Sequence, residues 1–160
     1  MRGGELSARG ERFSIRRIQP EDLDAVLAIE AASFKHPWSR EMFLREQEHD
    51  WSCILVCCAP EVAGFLIYWL VHDEIHILNV AVAREQRRRG IARTLLREAE
   101  KRALAADIAL MTLEVRKGDA GARALYQQLG YQEVGLRKNY YSEEGEDAVV
   151  MVRELRERGF

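Results

Sequence analysis

The stretch that decides the fold is Asn79 to Ala103, NVAVAREQRRRGIARTLLREAEKRA. It starts as an apolar, strand-like run, passes through a basic turn that ends at Gly90, and continues as an amphipathic helical pattern. A strand that leads through such a turn into a helix directs several free backbone N–H groups, and the positive end of the helix dipole, toward one small volume. The sequence therefore predicts a site for a polyphosphate.

This turn differs from two common phosphate-binding loops. It has neither the G-x-x-x-x-G-K-[ST] spacing of a P-loop nor the G-x-G-x-x-G spacing of a dinucleotide-binding turn. What it has is RRRGIA, Arg87 to Ala92, which follows the spacing [RQ]-x-x-G-x-[GA]. That spacing resembles the pyrophosphate-binding signature of the GNAT superfamily, the N-acetyltransferases that use acetyl-coenzyme A (acetyl-CoA).

Three flanking segments extend the resemblance over residues 13–153. They are FLIYWLVHDEIHILNVAV at Phe65 to Val82, TLEVRKGDAGARALYQQLGY at Thr112 to Tyr131, and LRKNYYSEEGEDAVVM at Leu136 to Met151. In this order and spacing they resemble the bacterial ribosomal-protein-alanine N-acetyltransferases, which acetylate the N-terminal alanine of a small-subunit ribosomal protein. The resemblance implies a GNAT fold and acetyl transfer by direct attack of the amine in a ternary complex.

The resemblance also implies where acetyl-CoA binds. The backbone around Gly90 and the neighbouring arginines would hold the pyrophosphate, and the end of the preceding strand would hold the acetyl-pantetheine arm, with the amide of Val82 directed at the thioester oxygen. Packing in the core would also explain the apolar strand. Asp119 stands where the family has asparagine in contact with the cofactor, and an ionised carboxylate accepts hydrogen bonds but cannot donate them. The predicted cofactor-binding residues are Val80, Ala81, Val82, Arg87, Arg88, Arg89, Gly90, Ile91, Ala92, Arg93 and Asp119.

Two residues match the family's acid and base. Glu114 interrupts an apolar strand and occupies the proton-acceptor position in L-E-V-R, although a glutamate there could simply face solvent. An α-amino group has a pKa of about 7.7–8.0, so a modest base acting through water suffices. Tyr126, in A-L-Y-Q-Q-L-G, occupies the proton-donor position and would protonate the departing thiolate. A tyrosine packed on a helix is the alternative.

The acceptor groove is predicted from N-Y-Y and from the segment between the first two helices. Tyr140 and Tyr141 would line one side, and Phe34 and Trp38 would form the opposite wall or pack in the core. The acidic run SEEGED, which follows the tyrosines, would attract a basic peptide or form a solvated turn.

Composition limits the protein class. A chain of 160 residues with 48% hydrophobic content suits one domain, predicted over residues 13–155, after a disordered tail over residues 1–12. A net charge of −2 argues against general binding of nucleic acids. The chain has neither the apolar core of a signal peptide nor a membrane-spanning run, so no membrane association is expected and a cytoplasmic location is predicted.

Hydrophobic patterns predict the order β-α-α-β-β-β-α-β-α-β-β, an α/β fold with a central mixed sheet flanked by helices. The first helix is predicted to bury Leu23, Val26, Leu27 and Ala31. The helix after Gly90 is predicted to bury Ile91, Leu95, Leu96, Ala99 and Ala103.

Two further groups have competing interpretations. The cysteines of CILVCC, at Cys53 to Cys58, are expected in the core, with an acyl-carrying nucleophile as the alternative. His72, Glu74 and His76 alternate along a strand and are expected to form a polar face across strands, with a zinc site as the alternative. No metal is predicted.

Other functions stay open. An acetyltransferase of a lysine side chain or a small-molecule amine would share these motifs, and so would a non-catalytic module that binds coenzyme A and a partner. Glu114 and Tyr126 together argue against loss of catalysis. RNA binding through Arg87 to Arg89 would need interleaved aromatic residues, which that run lacks.

Overall fold

The computed structural model describes residues 5–6 and 12–156. The chain divides into two compact units, residues 1–69 with 79–99 and residues 70–78 with 100–160. Two strands and one helix pass along the chain from one unit into the other: β4 (Val62–Val71), β5 (Glu74–Val82) and α3 (Ile91–Ala105). The single domain predicted over residues 13–155 stays a prediction.

The first unit contains an antiparallel run of strands in the order β1-β2-β3-β4. These strands are β1 (Glu5–Leu6), β2 (Arg12–Arg17), β3 (Ser52–Cys58) and β4 (Val62–Val71). The predicted hairpin at Pro60 and Glu61 is confirmed, since β3 pairs with β4 from Ser52/Trp69 to Cys58/Val62. Burial on both faces explains why β3 is a continuous apolar run.

Strand β1 lies within the segment predicted to be a disordered tail. Glu5 pairs with Phe13, and Leu6 pairs with Arg12. The two residues therefore extend the sheet at its edge. Residues 1–4 and 7–11 of the predicted tail lie outside the described residues.

Helices α1 (Leu23–Ser33) and α2 (Arg40–Glu46) complete the first unit, and short 3-10 turns cover Pro20–Asp22 and Arg84–Gln86. The Ser39 side chain caps α2 by accepting a hydrogen bond from the Met42 N–H at 3.2 Å. The predicted face of α1 is partly wrong. Leu23 and Val26 are buried, but Ala31 is exposed and the carboxylic acid Glu30 is buried in its place.

The second unit holds a mixed sheet in the order β5-β6-β8-β7. Strand β6 (Leu110–Arg116) runs parallel to β5 and antiparallel to β8 (Glu146–Glu154), which pairs with β7 (Gln132–Tyr141). A parallel pair needs a crossover, and α3 supplies it. Helix α4 (Ala120–Gln128) connects β6 to β7. The predicted mixed sheet is confirmed.

The helix after Gly90 has the predicted face. Its apolar residues are buried to 2% exposure or less, and they are Ile91, Leu95, Leu96, Ala99 and Ala103. Alternating charged residues of α3 are exposed or half-buried, as an amphipathic helix requires. Among residues 5–6 and 12–156, no helix combines the length and the apolar character needed to cross a membrane.

The cysteines are free thiols buried in β3, as the core interpretation predicts. The predicted strand face of His72, Glu74 and His76 is only partly correct. His72 has a left-handed backbone (φ 56°) in the turn after β4, whereas Glu74 and His76 lie on β5. Across the described residues, no group of three His, Cys, Asp or Glu side chains is placed to hold a metal ion.

Candidate active site

The turn before α3 presents backbone donors in the first unit. The N–H of Thr94 donates to the carbonyl of Gly90 at 2.9 Å, and the Thr94 hydroxyl donates to the same oxygen at 2.8 Å. Gly90 therefore precedes the first helical residue, and the helix itself supplies no acceptor for the N–H groups of Ile91 and Ala92. Together with the helix dipole, these groups suit an anionic phosphate.

Backbone conformation explains the glycine. Gly90 has φ 81°, in the left-handed region, and a Cβ added there would meet no atom within 4 Å. Its backbone conformation, rather than lack of space, therefore favours glycine. Arg88 also has a positive φ, 65°, so two positions of this turn share an unusual conformation.

The three arginines have different surroundings. Arg87 donates through Nε to the carbonyl of Val82 at 3.4 Å, and Arg89 lies over the Phe13 ring at 5.3 Å while bonding to the Gln86 side chain. Arg87 and Arg88 are exposed, and Arg89 is half-buried. The turn thus fits a pyrophosphate, because the N–H groups of a helix N-terminus and exposed guanidinium groups share one short segment.

The end of β5 lies close to β4 and α3 within the first unit. Ala81 is buried, and Val80 and Val82 are half-buried. A Cβ added at Gly64 would lie 2.9 Å from the Ala81 carbonyl oxygen and 2.9 Å from Ile91 Cγ2. Only glycine allows this approach without a shift of the backbone.

In the second unit, Glu114 forms a polar cluster. His76 Nε2 lies 2.6 Å from Glu114 Oε2, and an Arg137 guanidinium nitrogen lies 3.5 Å from Glu114 Oε1. The Glu114 side chain is 7% exposed. Burial acts to raise the pKa of Glu114, but the hydrogen bond and charge of His76 and the charge of Arg137 hold that pKa below its usual value. Glu114 is therefore ionised at neutral pH.

Tyr126 lies on α4, with its ring 5.8 Å from that of Tyr131. Burial raises the pKa of Tyr126 to about 12, and the charges of Asp119 and Tyr141 act in the same direction. The phenol is therefore protonated at neutral pH. Asp119 caps α4, because its carboxylate accepts a hydrogen bond from the Ala122 N–H at 3.0 Å.

The two tyrosines predicted to line the acceptor groove, Tyr140 and Tyr141, differ in how much of each is exposed to solvent. The rings of Tyr140 and Tyr141 meet edge to face at 5.1 Å, and Tyr140 is 46% exposed. The Arg116 guanidinium lies 4.0 Å from the centre of the Tyr141 ring, and it lies 3.6 Å from carboxylate oxygens of both Glu144 and Glu146. Part of the acidic run is therefore turned toward an arginine.

In the first unit, Phe34 and Trp38 are half-buried. Phe34 directly follows α1 as its C-cap residue, and the Trp38 ring lies 5.3 Å from that of Phe43, a fully buried residue. Packing against Phe43 therefore fixes part of the Trp38 ring, and the rest of the side chain is accessible to solvent. The Trp38 N–H donates to Glu30 Oε2 at 2.9 Å.

Sequence reasoning does not associate His76 or Arg137 with Glu114. It places His76 on a polar strand face, and the parallel register His76/Thr112 brings its side chain to Glu114. Alternation along β5 is the available signal, but the partner depends on strand register. Arg137 comes from β7, and no local spacing associates it with β6.

The geometry can be compared with known proteins. The model of the Acetyltransferase (GNAT) family matches residues 23–131. A Bacillus subtilis (strain 168) protein with the provisional name [ribosomal protein bS18]-alanine N-acetyltransferase is 37% identical over 142 residues, which cover 88% of this chain and 94% of that protein. The [ribosomal protein bS18]-alanine N-acetyltransferase of Escherichia coli (strain K12) is 35% identical over 144 residues, covering 86% and 95%.

A solved structure of a related enzyme has the same fold. The crystal structure of the ribosomal-protein-S18-alanine N-acetyltransferase from Escherichia coli matches with a TM-score of 0.83 at 32% identity, covering 92% of this chain and 96% of that one. The predicted fold and enzyme class, an acetyl-CoA-dependent N-acetyltransferase, are confirmed. The family match covers more than half of the chain, including the turn at Gly90, Glu114 and Tyr126, and the chain belongs to the GNAT family of acetyltransferases.

Proposed function

We propose that this protein is a cytoplasmic N-alpha-acetyltransferase that transfers acetyl from acetyl-CoA to the N-terminal alanine of a small-subunit ribosomal protein. The observation that carries this proposal is the likeness, along most of both chains, to a relative named for that activity, 35% identical over 95% of its length. The arrangement around Glu114 and Tyr126 supplies the acid and base that such a transfer needs.

The proposed base is Glu114. Because its pKa is lowered, the carboxylate is ionised at neutral pH and can accept the amine proton through water. His76 and Arg137 orient it, one at each carboxylate oxygen. With an α-amino pKa of about 7.7–8.0, a large share of the acceptor is already neutral near pH 7.5, so a carboxylate of low pKa suffices.

The proposed acid is Tyr126. A phenol with a pKa of about 12 is protonated throughout the physiological range, so it can supply the proton that the departing coenzyme A thiolate needs. The helix that carries it is fixed at its N-terminus by the Asp119 cap. Amine attack and thiolate departure would thus have separate proton carriers.

The turn at Gly90 is proposed to bind the pyrophosphate of acetyl-CoA. Its support is local to the first unit: the N–H groups in the first turn of α3, and the exposed side chains of Arg87 and Arg88. When bound, acetyl-CoA supplies the activated acyl group. Strand residues Val80 to Val82 are proposed to hold the arm that bears it, and Phe34, Trp38, Tyr140 and Tyr141 the acceptor.

Peptide acetylation tests the proposal. The purified protein is incubated with acetyl-CoA and peptides that start with the N-terminal residues of ribosomal protein bS18, with matched peptides that start with Ser, Met or Pro, and with an N-terminally blocked peptide that contains lysine. Intact mass and fragmentation then locate the acetyl group. We expect modification at the free α-amine, fastest with alanine.

The same panel separates the alternatives. Acetylation of only the blocked, lysine-containing peptide would move the acceptor to a side-chain amine. Binding of acetyl-CoA with no acetylated product would instead indicate a non-catalytic module.

A further inference from the structure

Glu30 is a buried carboxylic acid that the proposed chemistry does not use. It lies on α1 within the first unit and is 1% exposed. Removing a carboxylate from water is costly unless hydrogen bonds compensate, and an apolar residue at this position would avoid that cost. The contacts of Glu30 should therefore explain why an acid, rather than an apolar residue, is buried here.

Its two carboxylate oxygens bind two different segments. Oε2 accepts a hydrogen bond from the backbone N–H of Trp38 at 2.9 Å, and Oε1 accepts one from the side-chain amide of Asn79 at 3.1 Å. Both donors are neutral. Burial raises the pKa of Glu30, and the two hydrogen bonds oppose that shift.

These two segments carry different parts of the proposed site. Trp38 belongs to the predicted acceptor wall, and its ring packs on Phe43. Asn79 lies on β5 directly before Val80, the first residue of the predicted thioester-binding strand. All of these residues belong to the first unit, so one side chain is hydrogen-bonded to two segments of the same compact body.

We propose that Glu30 is a positioning residue that holds the Trp38 segment against Asn79 and thereby sets how the acceptor amine meets the strand at Val80 to Val82. This role rests on the proposed function. It differs from a purely stabilising contact because it affects turnover in protein that is fully folded.

Exchange of the hydrogen-bonding groups tests this role. Glu30→Gln keeps the shape but leaves an amide NH2 facing one of two N–H donors, so one bond is lost. Asn79→Asp places a second carboxylate against Glu30. In the double variant, the introduced glutamine accepts from the Trp38 N–H through its oxygen and donates through its NH2 to the new carboxylate, so both bonds return with one polarity reversed.

The expected result is a loss of kcat/KM for the acceptor of about tenfold or more in each single variant, the factor for one hydrogen bond to a charged group. The double variant should recover most of it. The Kd of acetyl-CoA, measured by calorimetry, should stay within about twofold throughout, because the turn at Gly90 is unchanged.

Asp22→Asn is the matched control. Asp22 is another buried acid of the first unit, 4% exposed, and it bonds to Arg16 and to the Gln19 N–H. Its substitution should lower the melting temperature with wild-type kcat/KM. If Glu30→Gln behaves like this control, or if the double variant stays as slow as the single variants, the positioning role is overturned.

If Glu30→Gln does not fold, two variants decide on the same criteria: the double variant and Asn79→Leu, which keeps Glu30 and removes the side-chain amide that donates to it. The kcat/KM of each variant is compared with that of the wild type, using whichever amine the wild type acetylates. A wild type that leaves N-terminal peptides unmodified thus counts against the proposed function, and not against the role of Glu30.

Discussion

His76 Nε2 lies 2.6 Å from Glu114 Oε2, so a histidine of β5 directly contacts the carboxylate proposed as the base. The two residues belong to parallel strands whose register pairs His76 with Thr112. This contact lowers the pKa of Glu114 against the opposing effect of burial. The carboxylate is thus kept ionised where a buried acid would otherwise take up a proton.

His76→Asn is expected to raise the pKa of Glu114, because a shorter side chain cannot reach the carboxylate. The folded-state pKa lies below the ordinary value of 4.5, so the stabilisation it provides is present above the unfolded pKa and is lost as pH falls through the folded pKa. The variant should therefore be less stable than the wild type above the unfolded pKa, and the difference should shrink as pH falls below it. Carboxyl-carbon NMR titration and urea unfolding against pH measure both effects.

His72→Asn is the control for that variant, because His72 lies exposed in the turn before β5 and asparagine tolerates its positive φ. An unchanged Glu114 titration in His76→Asn would show that the contact does not set the pKa.

Tyr126→Phe should lower kcat by about 10²-fold or more while the Kd of acetyl-CoA stays unchanged, since only a hydroxyl is removed. Because the pKa of Tyr126 is about 12, the wild type should show no loss of rate from its ionisation below about pH 10. Tyr131→Phe is the matched control, as Tyr131 is buried beside it. Equal losses in both variants would indicate packing rather than proton donation.

Gly90→Glu should abolish binding of acetyl-CoA by placing a negative charge and a strained backbone at the turn. Gly145→Glu has a comparable strain, with φ 65° and no atom within 4 Å of an added Cβ, in a turn that does not precede a helix. Calorimetry on both folded variants compares them. Wild-type affinity in Gly90→Glu would remove this turn from the cofactor site.

Asp119→Asn should strengthen the binding of acetyl-CoA, because an amide can both donate and accept and carries no charge to repel a phosphate. The cap of α4 should survive, since asparagine caps as well as aspartate, whereas Asp119→Ala should lose about 1 kcal/mol of stability. Binding calorimetry and thermal unfolding distinguish the effects. Identical affinity in wild type and Asp119→Asn would limit Asp119 to the cap.

Neutralising Glu143, Glu144 and Glu146 to glutamine should raise KM for a peptide that starts with Ala-Arg, and should leave a neutral peptide nearly unchanged. Glu143→Gln alone removes one of these three charges and should therefore have a smaller effect than the triple variant. The wild-type preference should also shrink as salt is added, because exposed charges are screened over about 8 Å at physiological ionic strength. A triple variant with unchanged KM at low salt would assign selectivity elsewhere.

Much of the fold follows from local pattern. The apolar run of β3 is predictable because a strand buried on both faces is apolar throughout, and the stripe of α3 because burial of one helix face imposes a period of 3.6 residues. The α1 face is predicted less well. Hydrophobic pattern places Ala31 inside, but the buried residue is Glu30, whose burial depends on donors 8 and 49 residues away in the chain. No window of local sequence contains that information.

In the candidate site, too, some features are predictable from local sequence and others depend on tertiary contacts. Motif spacing identifies Glu114, Tyr126 and the turn at Gly90, whose positive φ the glycine itself suggests. The contacts of Glu114 with His76 and Arg137 depend on the register of β5 and on the path of β7, which tertiary packing decides. The cap made by Asp119 has a local signal, since an acid before a helical pattern is a common first residue.

The close approach at Gly64 matters for anyone who redesigns this enzyme to accept larger acyl donors. A single added methyl would meet both the Ala81 carbonyl oxygen and Ile91 Cγ2 at 2.9 Å, so even the smallest substitution displaces backbone of the proposed thioester strand. A mutant library should therefore keep codon 64 fixed. Variation is better directed to Val80 and Val82, whose half-buried side chains leave that backbone contact untouched.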